Sequence, residues 1–242
     1  CMLGVLSATV WKWRPWTIAV VTGVFLLIDG AYLASNMTKI PDGGWFPLLI
    51  GAIAFTVLTT WATGRRLLRV RLDESTMPVD VFIRSAAGSV GRVPGTAVFL
   101  SASPKGVPSA LLHNMKHNRV LHERVVILTV AIEGVPLVED RRCGSVEDLG
   151  HGFWRVILHY GFMQEIDVPG ALATVAVGGG PFRPMDTSYF LGRQTLISSS
   201  RPGMARWREQ FFAWMLRNAE TAMEFFKLPS NRVVELGSQV EI

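Results

Sequence analysis

The chain has 242 residues, of which 49% are hydrophobic and 18% charged, and it carries a net charge of +5. This composition excludes a disordered or collagen-like protein, and two cysteines, Cys1 and Cys143, are too few for a disulfide framework. The charge is modest and spread along the second part of the chain, which argues against nucleic acid as a partner. Residues 1–64 contain five charged side chains and residues 65–242 the remaining 38, so the two parts are expected to occupy different environments, the first of them lipid.

The first ten residues, CMLGVLSATV, are apolar and uncharged. Ten residues are too few to cross the hydrocarbon core of a bilayer, which is about 30 Å thick. We therefore interpret residues 1–10 as the end of a transmembrane helix whose beginning precedes this sequence. On this interpretation the chain is the last part of a longer polytopic protein.

Two longer apolar runs follow, at 16–35 with a single charge and at 46–64 with none. About 20 helical residues, at 1.5 Å each, cross a bilayer, so each run predicts a transmembrane helix. The sequence PDGG at 41–44 lies between them and favours a turn. The two runs therefore predict a transmembrane helical hairpin. The alternative is a pair of helices buried in the core of a soluble protein.

Basic residues flank the predicted hairpin on both sides. Lys12 and Arg14 precede the first span, and four arginines follow the second between positions 65 and 71. Because positively charged flanks stay on the cytoplasmic side, both ends of the hairpin are expected to lie inside the cell. We therefore predict a basic juxtamembrane connector at 65–93 and a cytoplasmic location for all of residues 65–242.

Three polar residues lie within or just after the first span: Asp29, Asn36 and Lys39. An ionisable side chain inside a span costs roughly 2.5–3.5 kcal/mol on insertion scales, which makes Asp29 a candidate for function. One interpretation places Asp29 on an ion or proton path, with Asn36 and Lys39 near its outer mouth. The other pairs Asp29 with a polar group on a neighbouring helix outside this sequence.

Residues 94–242 have the pattern of an α/β domain. Short β-rich runs predict strands at 95–101, 123–134, 153–162, 187–191 and 233–236, and a helix with one apolar stripe is predicted between the first two. Strand, helix and strand in succession favour a right-handed βαβ unit within a mixed sheet. The predicted fold class is thus a polytopic α-helical membrane protein followed by a cytoplasmic α/β domain.

The segment 203–227 is rich in aromatic residues at helical spacing and predicts a single helix that ends before Pro229. The favoured interpretation is a helix packed on the sheet. The alternative is an amphipathic helix that lies on the membrane.

Motifs that would carry catalysis are incomplete in this sequence. His113 and His117 are four residues apart, but a zincin would have a glutamate where Asn114 stands. The sequence AGSVG at 87–91 is not followed by a helix, and GGGP at 178–181 lacks the lysine and hydroxyl residue of a phosphate-binding loop. We therefore predict no enzyme, no catalytic or metal-binding residues and no cofactor.

Several longer strings occur in a characteristic order: NMTKIPDGGWFPL (36–48), PGTAVFLS (94–101), LLHNMKHNRVLHERVVILTV (111–130), FWRVILHYGFMQ (153–164) and NRVVELGSQVEI (231–242). Together they resemble the last part of bacterial potassium uptake permeases of the Kup (KUP/HAK/KT) family, over nearly the whole chain. The resemblance implies secondary active potassium uptake by K+:H+ symport across the bacterial inner membrane, with potassium ions, protons and the lipid bilayer as partners.

In that family the ion site is expected around broken helices that precede this sequence, so no potassium-binding residue is assigned here. The resemblance also implies that the cytoplasmic domain assists homodimer formation. In some members the domain responds to cyclic di-AMP, although no motif in this chain establishes nucleotide binding. The predicted role is therefore two membrane spans and a cytoplasmic regulatory or assembly domain of a potassium transporter. The alternative is a self-contained, membrane-anchored binding or sensor module.

Overall fold

The computed structural model describes residues 6, 9–74, 77–86, 88, 90–104, 106–139, 144–178, 180, 182–197 and 203–241. Both cysteines and most of residues 1–10, the expected end of an earlier helix, lie outside the described residues. The chain divides into two compact units, Cys1–Thr59 and Thr60–Ile242, and each is described by itself.

The first unit consists mainly of two long helices. Helix α1 spans Pro15–Met37, and helix α2 begins at Trp45 and continues into the second unit, where it ends at Glu74. Both are long and apolar enough to cross a bilayer. Their apolar stretches are almost entirely exposed, which does not fit the alternative of helices buried in the core of a soluble protein.

The turn between α1 and α2 lies where the sequence predicts it, at Ile40–Gly44. The backbone N–H groups of Asp42 and Gly44 both donate to the carbonyl oxygen of Lys39, at 3.2 and 3.0 Å. Gly43 has a φ of +119°, which side-chain-bearing residues rarely adopt. The helical backbone is thus interrupted at Asp42 and Gly43, which separates α1 from α2.

The range 65–93 contains two helical segments and the beginning of a strand, where a connector was expected. Helix α2 includes its basic residues up to Arg71, and Leu68 within it is buried. A second helix, α3, spans Val79–Ala86 and buries four apolar side chains at helical spacing, namely Val79, Phe82, Ile83 and Ala86. The range forms helices because the apolar residues between its charges line up on one face of each helix.

The second unit is built on a six-stranded mixed sheet, which confirms the predicted α/β domain. The strands are β1 (Gly91–Leu100), β2 (Val120–Glu133), β3 (Gly144–Gly150), β4 (Phe153–Gly161), β5 (Thr187–Ile197) and β6 (Val233–Glu241), in the order β3-β4-β2-β1-β5-β6. All neighbours are parallel except β3 and β4. Helix α4 (Ser109–Asn118) connects the parallel neighbours β1 and β2, as the predicted βαβ unit requires. Strand β3 was not predicted, because its sequence GSVEDLG lacks a β-branched run and is largely exposed.

Apolar side chains cover both faces of the sheet. On one face Phe99 of β1 stacks on Phe190 of β5 with ring centroids 4.5 Å apart, and the side chains of α3 and α4 complete this cluster. On the other face Val98 and Leu128 pack with Leu172 of helix α5, which spans Val168–Thr174. Burial on both faces explains why the central strands have continuous apolar sequences rather than alternating ones.

The predicted single helix at 203–227 is wrong, because the structure has two helices there. Helix α6 spans Arg206–Arg217 and helix α7 spans Ala222–Phe225. Thr221 caps α7, since its hydroxyl accepts from the N–H of Glu224 while the Glu224 carboxylate accepts from the N–H of Thr221. This capping box starts a new helix and interrupts the helical pattern.

The Arg92 side chain links the beginning of β1 to β2 and to the turn between β3 and β4. The Arg92 guanidinium donates to the carbonyl oxygens of His122 and His151, at 2.7 and 2.6 Å. The His122 ring lies 5.9 Å from that of Phe190, and its Nδ1 is buried without a hydrogen-bond partner among the described residues. Burial lowers the pKa of His122 because the charged imidazolium loses solvation.

We expect His122 to make the second unit less stable in acid. In the unfolded chain the His122 imidazole binds a proton near pH 6.5, whereas in the folded protein it binds the proton only at lower pH. The free energy of unfolding therefore falls as the pH drops below about 6.5. His122→Gln should flatten this part of the pH dependence, measured as melting temperatures between pH 7.5 and pH 5 in steps. His117→Gln, at an exposed position, is the control, and equal profiles for the wild type and His122→Gln would contradict the prediction.

Candidate functional site

The polar residues predicted near the first span lie along one helix and the turn that follows it. Asp29 and Asn36 both belong to α1 and are exposed. Being seven residues apart, they lie on the same side of the helix, about two turns from each other. Among the described residues nothing forms a hydrogen bond or ion pair with the Asp29 carboxylate. Asp29 is thus presented to the surroundings of α1.

Backbone contacts bring Asn36 and Lys39 together. The N–H of Lys39 donates to the carbonyl oxygen of Asn36 at 3.0 Å, and the Thr38 hydroxyl donates to the carbonyl oxygen of Ser35 at 2.8 Å. Both side chains remain exposed at the end of the helix. These residues give the turn a polar surface, but among the residues described here they do not surround a position for an ion.

A metal centre finds no support in the described part of the chain, where no three His, Cys, Asp or Glu side chains come together. His113 and His117 stack on one face of α4 with ring centroids 6.0 Å apart. The two catalytic motifs examined in the sequence, at 87–91 and 178–181, fall partly outside the described residues.

The structure reveals a joint between α6 and the last part of α2, both within the second unit. The Arg208 Nε donates to the Thr60 hydroxyl at 2.9 Å, and Thr60 is fully buried. Thr60 lies inside the apolar run of α2, five residues before the first of its arginines, Arg65. A charged side chain of α6 is therefore held at the boundary between the apolar and the basic parts of α2.

Packing at this joint centres on Phe212, which is completely buried. Its ring lies edge-on to Trp61 with the centroids 5.6 Å apart, and it covers Gly64 so closely that a Cβ there would fall within 3.0 Å of ring carbons. Gly64 thus lets α6 approach the backbone of α2. A Cβ at Gly203, just before α6, would lie 3.2 Å from a methyl group of Leu67, which is a tight but less severe contact.

The favoured interpretation of the 203–227 segment, packing on the sheet, fits its second half, where Met223 and Phe226 pack against the apolar cluster on one face of the sheet, whereas α6 rests on α2. Phe212 belongs to neither of the two apolar clusters that cover the sheet, and its contacts are with α2. The sequence does contain a signal for a helix contact at Gly64, because a glycine at the end of an apolar span commonly marks a place where another helix approaches closely. It does not identify Phe212 as the residue that fills the space.

Comparison with known proteins identifies the family. Residues 94–242 match the model of the K+ potassium transporter C-terminal domain, and residues 1–66 match that of the K+ potassium transporter integral membrane domain. The first part of the chain is accordingly membrane-embedded, and the α/β domain that follows is its cytoplasmic part. No solved structure matches the chain.

Similar curated proteins agree with the family models. The chain is 59% identical to a protein of Erythrobacter litoralis and 57% identical to one of Zymomonas mobilis, each named a probable potassium transport system protein Kup. A protein of Rhodopseudomonas palustris, named Kup 1, is 49% identical. All of this chain is covered, but it spans only 37–39% of the length of these relatives. The chain belongs to the K+ potassium transporter family, of which it corresponds to a carboxyl-terminal portion.

Proposed function

We propose that this chain acts within a bacterial inner-membrane potassium uptake transporter, to which it contributes two spans and a cytoplasmic domain. The observation that carries this is the pair of family matches in sequence order, at 1–66 and 94–242, together with the names of the relatives. Those relatives are transporters, which is a non-enzyme class. We also propose, from the resemblance of the quoted motifs, that uptake is coupled to protons by symport.

We place the potassium ligands outside this chain. A dehydrated potassium ion needs a shell of oxygen atoms, which channels provide from several converging segments. Helices α1 and α2 offer mainly apolar side chains, and Asp29 and Asn36 are separated along α1 by about two turns. Transporter sites of this type form where discontinuous helices meet near the bilayer midplane.

Rubidium uptake in a potassium-transport-deficient bacterial strain tests the proposed activity. We expect uptake by a full-length protein that contains this chain as its last part, and none by residues 1–242 alone. Immunoblots of membrane fractions control for the amount of each protein. Uptake by residues 1–242 alone would contradict our placement of the ligands, and no uptake by a well-expressed full-length protein would contradict the transport function.

We propose that Asp29 serves helix packing or the polarity of the outer vestibule rather than the proton path. The full-length protein with Asp29→Asn should then keep the pH dependence of rubidium uptake, because the amide retains shape and hydrogen bonding. Asn36→Asp, two turns away on the same helix, is the matched control for charge at this face. Loss of the pH dependence in Asp29→Asn alone would assign Asp29 to the proton path.

The cytoplasmic domain is proposed to regulate or assemble the transporter, as a homodimer. Its direct packing on the end of α2 through Phe212 supports the regulatory role, and the homodimer is an expectation from the resemblance. Removal of residues 77–242 leaves α2 intact and should lower the uptake rate, or the amount of dimer in chemical crosslinking, without changing the ratio of rubidium to sodium transport. A changed ion selectivity would contradict this role. A response to cyclic di-AMP stays an expectation from the resemblance.

A further inference from the structure

Helix α6 carries large aromatic side chains along one exposed side. Trp207 and Trp214 are 58% and 56% exposed, and Phe211, which stacks on Trp214 at 5.9 Å, is half-buried. These three residues, at spacings of four and three, form one stripe along the helix. We call them the aromatic stripe. Tryptophan is costly to expose to water, but its amphipathic ring is favoured at the boundary of lipid and water.

The direction of the aromatic stripe follows from the order of residues around the helix. At about 100° per residue, Arg208 lies between Phe212 and Phe211 on the helical wheel. Phe212 faces Gly64, whereas Arg208 reaches back to Thr60, one turn deeper in the apolar run of α2. The stripe therefore lies next to Arg208 on the wheel, beside the side of α6 that bonds to Thr60.

Polar residues complete the other flank of the stripe. On the helical wheel, Gln210 and Arg217 lie beside the stripe on the side opposite to Arg208, and both are exposed. Arg206, at the start of the helix, is exposed as well. On α2, Arg65 and Arg66 are exposed at the same level, and Arg65 lies 5.9 Å above the ring of Trp61. Exposed arginines beside aromatic residues at the end of a span fit anionic lipid headgroups.

We propose that α6 lies in the cytoplasmic interface of the bilayer, with Trp207, Phe211 and Trp214 among the acyl chains and Arg206 and Arg217 among anionic headgroups. The occupant of the exposed face of α6 is thus lipid. Continuity with the apolar run of α2 at Thr60 supports lipid over a protein partner, because the contact with α2 fixes α6 where the hydrocarbon core ends. The inference rests on the membrane placement of α2, and it is independent of potassium transport.

Spin-label accessibility measures this placement in the full-length protein. Single cysteines at Trp207, Gln210 and Trp214, in a cysteine-free background, are labelled and reconstituted into vesicles of phosphatidylethanolamine and phosphatidylglycerol. We expect the ratio of oxygen to nickel-chelate accessibility to be several-fold higher at positions 207 and 214 than at 210. Position 162, an equally exposed phenylalanine that lies just after β4, is the control and should resemble position 210.

Each other outcome would overturn the proposal. Aqueous accessibility at positions 207 and 214 equal to that at 210 and 162 would place the stripe in solvent. Low accessibility to both reagents at 207 and 214 would indicate protein, such as a second copy of the chain, in place of lipid. Because the replaced side chains are exposed, the cysteine variants should fold normally. An unchanged melting temperature of each labelled protein would verify this. Because the readout is position rather than uptake, an inactive transporter would still give a result.

Discussion

Replacing Gly64 by alanine is expected to lower the melting temperature of the cytoplasmic unit, although alanine in a helix interior ordinarily stabilises by about 0.5–1 kcal/mol over glycine. The new methyl group would fall within 3.0 Å of the Phe212 ring and force α6 away from α2. Overpacking of this kind costs about 1–3 kcal/mol. For a unit of this size we expect a loss of about 2–4 °C per kcal/mol, measured by thermal unfolding of the full-length protein in detergent.

Gly51 provides the matched control, because it lies in the same helix and a Cβ there would meet nothing within 4 Å. Gly51→Ala should leave the melting temperature unchanged or raise it. The double variant Gly64→Ala with Phe212→Ala should be no less stable than Phe212→Ala alone, since the ring that clashes is gone. Equal melting temperatures for Gly64→Ala and the wild type would show that α6 does not rest on Gly64.

Phe99→Ala should destabilise the α/β domain by about 3–5 kcal/mol, the range for truncating a buried phenylalanine. Phe99, near the end of β1, is 0% exposed and stacks on Phe190 at 4.5 Å, so its loss leaves a cavity in the apolar cluster on one face of the sheet. Urea unfolding of the full-length protein in detergent, followed by near-ultraviolet circular dichroism, measures the effect.

Phe162→Ala controls for the removal of a phenylalanine as such. Phe162 is 59% exposed just after β4, and surface substitutions of this kind usually change stability by less than about 0.5 kcal/mol. If both variants unfold at the same urea concentration as the wild type, the sheet does not pack through Phe99 as described.

The elements that sequence analysis predicts well are those whose pattern has one explanation. The apolar runs of α1 and α2 are too long and uncharged for a soluble domain, and the β-branched run of β2 is typical of a buried central strand. The turn between the long helices follows from its glycines and Pro41. These signals are local, so no tertiary information is needed to interpret them.

The elements that sequence analysis missed depend on partners distant in the chain. Strand β3 is specified by pairing with β4, for example Val146 opposite Val156, rather than by its own composition. The aromatic residues of α6 are compatible with a sheet, a membrane or another helix. Only the contact of Phe212 with Gly64, far away in sequence, selects among them. Asp29, Asn36 and Lys39 thus stay predictions, whereas the contact between α6 and α2 was not predictable from the sequence.

Helix α2 runs without a break from Trp45 to Glu74, which at 1.5 Å per residue is a rod about 45 Å long. Gly64, at the end of its apolar run, is covered by the Phe212 ring, so the position where this helix could bend most easily is braced. A bend of α2 at Gly64 would therefore require the Phe212 ring to leave the glycine first.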